Sequence, residues 1–127
     1  MFEVVDTGIA PSKGPISGTV RKGDLLLTAQ IPKDPATGAI VQGDITVQTT
    51  RTLANLRQAV EAAGGSLADV MMVQVYLTDS ADAPAMNAVW AETFAKPYPC
   101  RATVVVKELL APGMRIEIVA TAHLGRG

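Results

Sequence analysis

The chain has 127 residues, 48% of them apolar and 18% charged, which is ample material for one buried core and carries no signature of disorder. Eleven basic against twelve acidic residues leave a formal charge of -1, so neither nucleic acid nor an anionic membrane finds a broad attractive surface. One cysteine rules out an intrachain disulfide, and one histidine leaves no His/Cys metal cluster of ordinary spacing.

Residues 1–5 alternate weakly and predict an edge strand, after which Gly8, Pro11, Gly14, Pro15 and Gly18 punctuate a long loop. A turn at Lys22-Gly23-Asp24 leads into an apolar strand over 25–30. The breaker segment 32–38 then precedes a third short strand near Ile40 and Val41. From Asp44 the period changes: Ile45, Thr49, Leu53, Leu56, Val60 and Ala63 recur every three or four residues, with Asp44 as N-cap and Gly64-Gly65 as the stop of a helix. Residues 70–77 are rich in β-formers and predict a strand. A second helix follows, capped by Ser80 or Asp82, with Pro84 in its first turn and Met86, Val89, Trp90 and Phe94 as its buried stripe; Pro97 and Pro99 lie beyond its end. Strands over 101–106 and 115–122, parted by Ala111-Pro112-Gly113, complete the chain.

The order β, β, β, α, β, α, β, β predicts an α+β domain over 1–127 whose two helices cover one face of a sheet. Side-chain alternation assigns Ala102, Val104 and Val106, with Ile116, Ile118 and Ala120, to the helix side. It assigns Arg101, Thr103 and Val105, with Glu117, Val119 and Thr121, to the other. The strands over 25–30 and 70–77 are apolar on both faces, and the uncovered face predicts burial against another subunit. The apolar runs are short, and the N-terminus lacks the basic start and apolar stretch of a signal peptide, so a cytoplasmic protein is expected.

Two charged residues stand out. Arg101 opens an apolar strand, and a guanidinium there suits either bidentate capture of a carboxylate or an intersubunit ion pair with an acid such as Glu117. Glu117 lies within the run Arg115-Ile116-Glu117-Ile118-Val119-Ala120; it suits either activation of a water or a plain solvent-facing charge. Asn87, Cys100 and His123 have bland readings as surface amide, small core residue and interface imidazole. No dinucleotide fingerprint, P-loop or HExxH is present.

Taken together, GPISG, GDLLLTAQIPKDPATGAIV, QTTRTLANLRQAVEAAGGSLADV, VYLTD, MNAVWAETF, PYPCRATV and RIEIVATA, in this order along nearly the whole chain, resemble the YjgF/YER057c/UK114 family, also called the RidA family of imine deaminases. The resemblance implies a chorismate-mutase-like fold, a six-stranded mixed sheet with two helices on one face, in a homotrimer whose sheets face inward and whose active sites lie between subunits. It implies hydrolysis of enamines and imines, such as those derived from 2-aminoacrylate, to 2-keto acids and ammonia with no cofactor. By position it casts Arg101 as the grip on the substrate carboxylate and Glu117 as the carboxylate beside the attacking water. Asn87, Thr28, Ala29, Cys100 and Thr103 fall on pocket positions. Ile16 stands where a tyrosine is frequent in the family, and Ala29 where glycine is common. An alternative of another class is a non-catalytic trimer that senses small carboxylates such as 2-keto acids. A ribonuclease reading draws little support from the near-neutral charge and the sparse aromatic residues.

Overall fold

The computed structural model describes residues 1–125. Six strands form one sheet: β1 (Glu3–Val4), β2 (Thr19–Lys22), β3 (Leu25–Gln30), β4 (Val70–Leu77), β5 (Cys100–Val105) and β6 (Ile116–His123). Their order is β1-β2-β3-β6-β4-β5, and every pairing is antiparallel except β4 with β5. The helices α1 (Ile45–Ala62) and α2 (Ala83–Thr93) pack on one face. This is the mixed six-stranded, two-helix architecture expected.

The first helix forms where its period dictates. The Asp44 side chain accepts a hydrogen bond from the Val47 amide at 2.9 Å, satisfying one of the free N–H groups of the first turn. Leu53, Leu56 and Val60 are buried against Leu26, Val73, Val75, Ile116 and Ile118. The second helix adds Met86, Val89, Trp90 and the trailing Phe94 to the same core, as its stripe predicts. Its entry is more elaborate than expected. Asp79 caps a single 3-10 turn, Ser80–Asp82, from which α2 continues, while Asp82 turns to a bidentate contact with Arg115.

Two polar side chains of α1 anchor the segments that carry the site. Gln48, fully buried, donates to the carbonyls of Val41 and Gly113 at 3.0 and 2.8 Å and accepts from the Arg115 amide at 2.7 Å, fixing the start of β6. Asn55 donates to the carbonyls of Ile31 and Lys33 at 3.1 and 2.9 Å, fixing the exit of β3. Such buried amides hold position because leaving any of these carbonyls unpaired is costly.

Two expectations are corrected. The third strand is not at Ile40 and Val41, where there is only an isolated bridge between Lys33 and Ile40. It is β2, which closes a hairpin with β3 through Gly23, whose φ of +57° a glycine adopts without strain. Thr19 and Thr28 seal that hairpin from inside, their hydroxyls sharing a 2.8 Å hydrogen bond. The second correction concerns faces. In the parallel pairing Val73 lies beside Arg101, Val75 beside Thr103 and Leu77 beside Val105, so Arg101, Thr103 and Val105 point to the helix side. Ala102 and Val104 therefore face away from the helices. In β6 the alternation is as expected, with Ile116, Ile118, Ala120 and Ala122 buried under the helices. The reason β5 misleads is its place at the sheet edge. Five of its six residues are exposed and Arg101 is half-buried, so apolar character there does not report which face is covered.

Candidate active site

Glu117 lies on β6 with β3 on one side and β4 on the other, opposite Tyr76, on the face without helices. Residues of the loop between β1 and β2 line one cavity together with Glu117. The loop is tied down by hydrogen bonds from the Gln58 side chain to the Thr7 carbonyl at 2.9 Å, from the Ala10 amide to the Pro35 carbonyl at 2.7 Å, and from Lys33 Nζ to the Ala10 carbonyl at 2.6 Å. The cavity has a volume of about 500 Å³. Its apolar wall includes Ile9, Pro11, Ile16 and Ile31, with Ala29 and Glu117 on the sheet side. Burial among these groups pushes the Glu117 carboxyl above the ordinary carboxylate range, because the charged form loses water without gaining a cation. A half-buried carboxyl of raised pKa, with room beside it for a small molecule, is equipped to take a proton from water.

Of the residues singled out in the sequence, Ile16 and Ala29 join Glu117 in this cavity. Thr28 does not. Its side chain is on the opposite face, buried, bonded to Thr19 and accepting from Gln30 Nε2 at 2.8 Å, where it supports the hairpin. A second group gathers at the far edge. The Arg101 guanidinium stacks on Trp90, 4.8 Å from the ring centroid, a cation–π contact that fixes its direction. Asn87 is exposed one turn earlier on α2, and Thr103 is two residues along β5 on the same side as Arg101. Cys100 is exposed on the face without helices, beside Met72.

Within one chain Arg101 and Glu117 are therefore apart. Their strands are separated by β4, about 10 Å across the sheet, and their side chains leave opposite faces. No hydrogen bond or ion pair joins them, and among the described residues the ion pair is Arg115 with Asp82 at 3.0 Å. Two residues at these places were not singled out in the sequence. Trp90 reads as pure core yet is the platform for Arg101, and Lys33, hidden in a breaker-rich segment, lines the Glu117 cavity. The only available signal for Lys33 was a cation directly after an apolar strand and a proline. Among the described residues no three His, Cys, Asp or Glu side chains converge on a metal-sized site, and no helix is long and apolar enough to cross a membrane.

The profile of the endoribonuclease L-PSP family matches residues 7–124. A RutC family protein of Pyrococcus horikoshii is 46% identical over 125 residues, covering 97% of this chain and 98% of its own. A 2-iminobutanoate/2-iminopropanoate deaminase of Dermatophagoides farinae is 35% identical over 117 residues, 91% of each chain. The crystal structure of RidA from an Antarctic Psychrobacter superposes with a TM-score of 0.88 at 33% identity, covering 96% of this chain and 99% of that one. Matching motifs, sheet order and overall shape thus agree, and the chain belongs to the endoribonuclease L-PSP family, the YjgF/RidA family.

Proposed function

We propose that the protein hydrolyses reactive 2-imino acids and their enamine tautomers to 2-keto acids and ammonia, in a site shared between neighbouring copies of a homotrimer. The observation that carries this reading is Glu117: a carboxyl with raised pKa in a small, mostly apolar cavity, positioned to activate water. The name of the Dermatophagoides relative, an imine deaminase at 35% identity, supports the same chemistry.

Glu117 as carboxylate accepts a proton from a water, whose oxygen attacks the C=N carbon. Glu117 passes that proton to the imine nitrogen to give the carbinolamine, whose hydroxyl proton is then carried to nitrogen as C=O forms, the C–N bond breaks and ammonia leaves. An imine is already electrophilic, so orientation and a base are the main requirements. The orientation comes from Arg101, whose guanidinium fork suits a carboxylate. Because Arg101 and Glu117 of one chain diverge, a substrate touching both needs Arg101 from an adjacent copy. The face without helices offers the surface for that copy, since Leu25, Leu27 and Val104 are 45%, 43% and 48% exposed on it.

The test is ammonia release from 2-imino acids generated in situ by an amino-acid oxidase in the presence of catalase. Acceleration over the uncatalysed hydrolysis, saturable and competed by a 2-keto acid, is expected. Saturable binding of the keto acid with no acceleration for any imine makes the protein a binder rather than an enzyme.

A further inference from the structure

Lys33 shares the Glu117 cavity but has no part in the reaction above. Its backbone is rigidly placed, with its carbonyl held by Asn55 and its amide bonded to the Ile31 carbonyl at 2.8 Å. Among the described residues its ammonium donates once, to the Ala10 carbonyl, out of three possible donations. No carboxylate forms an ion pair with it among the described residues. Of the two acids lining the same cavity, Asp6 is exposed and its Oδ1 accepts from the Gly8 amide at 3.1 Å, and Glu117 is the proposed base. Burial also pushes the Lys33 pKa down, the mark of a cation short of both water and counter-charge. A partly desolvated ammonium without an ion pair among the described residues, in a cavity that Ile16 and Ile31 also line, presents a ligand with two chemistries, a wall for methylenes and an end for an anion.

From this geometry we propose that Lys33 binds a second carboxylate, so that the preferred substrates are 2-imino acids whose side chain ends in a carboxylate. The inference rests on the imine-hydrolase reading of the same site. The substrate's first carboxylate goes to Arg101 of a neighbouring copy, its C=N carbon to the water at Glu117, its methylenes to Ile16 and Ile31, and its terminal carboxylate to Lys33. The reaction is unchanged: water adds across C=N, the C–N bond breaks, and a 2-keto dicarboxylate and ammonia form.

The experiment compares two keto acids of equal chain length, 2-oxoglutarate and 4-methyl-2-oxopentanoate, by calorimetry on the intact wild-type protein, Lys33→Gln and Lys33→Arg. Wild type should favour 2-oxoglutarate on the order of tenfold, a preference that shrinks with salt. Lys33→Gln should erase it and Lys33→Arg restore it. In turnover, the ratio of kcat/KM for the glutamate-derived imine over the leucine-derived imine should fall by a similar factor in Lys33→Gln. Absence of the wild-type preference overturns the proposal, as does an equal loss for both ligands in Lys33→Gln, which is what a mere strut to Ala10 would give. If Lys33→Gln does not fold, the wild-type preference and its salt dependence decide. If neither imine is turned over, the hydrolase reading fails while the binding comparison still judges Lys33.

Discussion

The two faces of the sheet are built from the same strands by the same alternation, yet they differ in what covers them. Leu26, on the helix side of β3, is wholly buried, whereas Leu27, its neighbour, is 43% exposed. Ile116 and Ile118 are buried under α1 and α2, whereas Glu117 between them borders a cavity. The helix face thus completes the fold within one chain. The other face carries what folding alone does not require: exposed leucines and a carboxyl of raised pKa. The open face carries Glu117 and the exposed leucines, while Arg101 stands at the edge of the helix face, over Trp90.

Substitutions can break that contrast, and the largest effect should be at Glu117. Glu117→Gln keeps the shape but removes the base, so turnover should drop by roughly 10²- to 10⁴-fold while keto-acid binding persists or tightens. The same variant has a pH signature. Burial raises the folded-state pKa of Glu117 above its unfolded value, so the stability linked to its protonated form is complete below the unfolded value and declines as pH rises through the folded one. The Tm of Glu117→Gln should therefore gain on wild type as pH rises from the ordinary glutamate value of about 4 through the higher folded-state value. A Tm difference that stays constant over that range would remove the case for a desolvated carboxyl.

Next in size is the pair of adjacent leucines. Leu26→Ala should cost about 2–5 kcal/mol in denaturant unfolding through the cavity it leaves. Leu27→Asp should lower the mass seen by light scattering from about three chains towards one while the folded protomer keeps its circular dichroism. A wild-type protein that is monomeric at micromolar concentration would remove the shared site from the reading.

A smaller change is expected at the edge of the helix face. Arg101→Ala should weaken keto-acid binding and turnover together, on the order of 2 kcal/mol, with the oligomer intact. Undiminished ammonia release by this variant contradicts the proposed role. The smallest effect is one of preference. Ile16→Tyr adds a hydroxyl and bulk to the cavity wall, so the relative rate with the leucine-derived imine should fall against that with the serine-derived one. An unchanged ratio would mean that Ile16 does not touch the substrate.

The sequence made the helices legible because their periods, caps and stops agree: Asp44, the Ile45-to-Val60 stripe and the Met86-to-Phe94 stripe all sit where expected. The hairpin strand at Thr19–Lys22 was hidden because three of its four residues are polar and glycines flank it, and only pairing with β3 makes it a strand. For the site, Glu117 was readable as a lone acid in an apolar run. The direction of Arg101 was not. On an edge strand the face is set by register against β4, a non-local pairing that no local pattern reports. Lys33 escaped for a related reason, since its place in the cavity depends on Asn55 and on a loop more than twenty residues upstream.

The contact between Arg101 and Trp90 gives the protein a built-in optical reporter. Trp90 is the chain's one tryptophan, nearly buried, with the guanidinium lying over its ring. Indole emission responds to nearby charge, so an anion that neutralises Arg101 should alter the spectrum without any added label. Titration with a 2-keto acid should therefore change the intrinsic fluorescence of the wild-type protein and leave that of Arg101→Ala unmoved, making occupancy at the sheet edge visible in a cuvette.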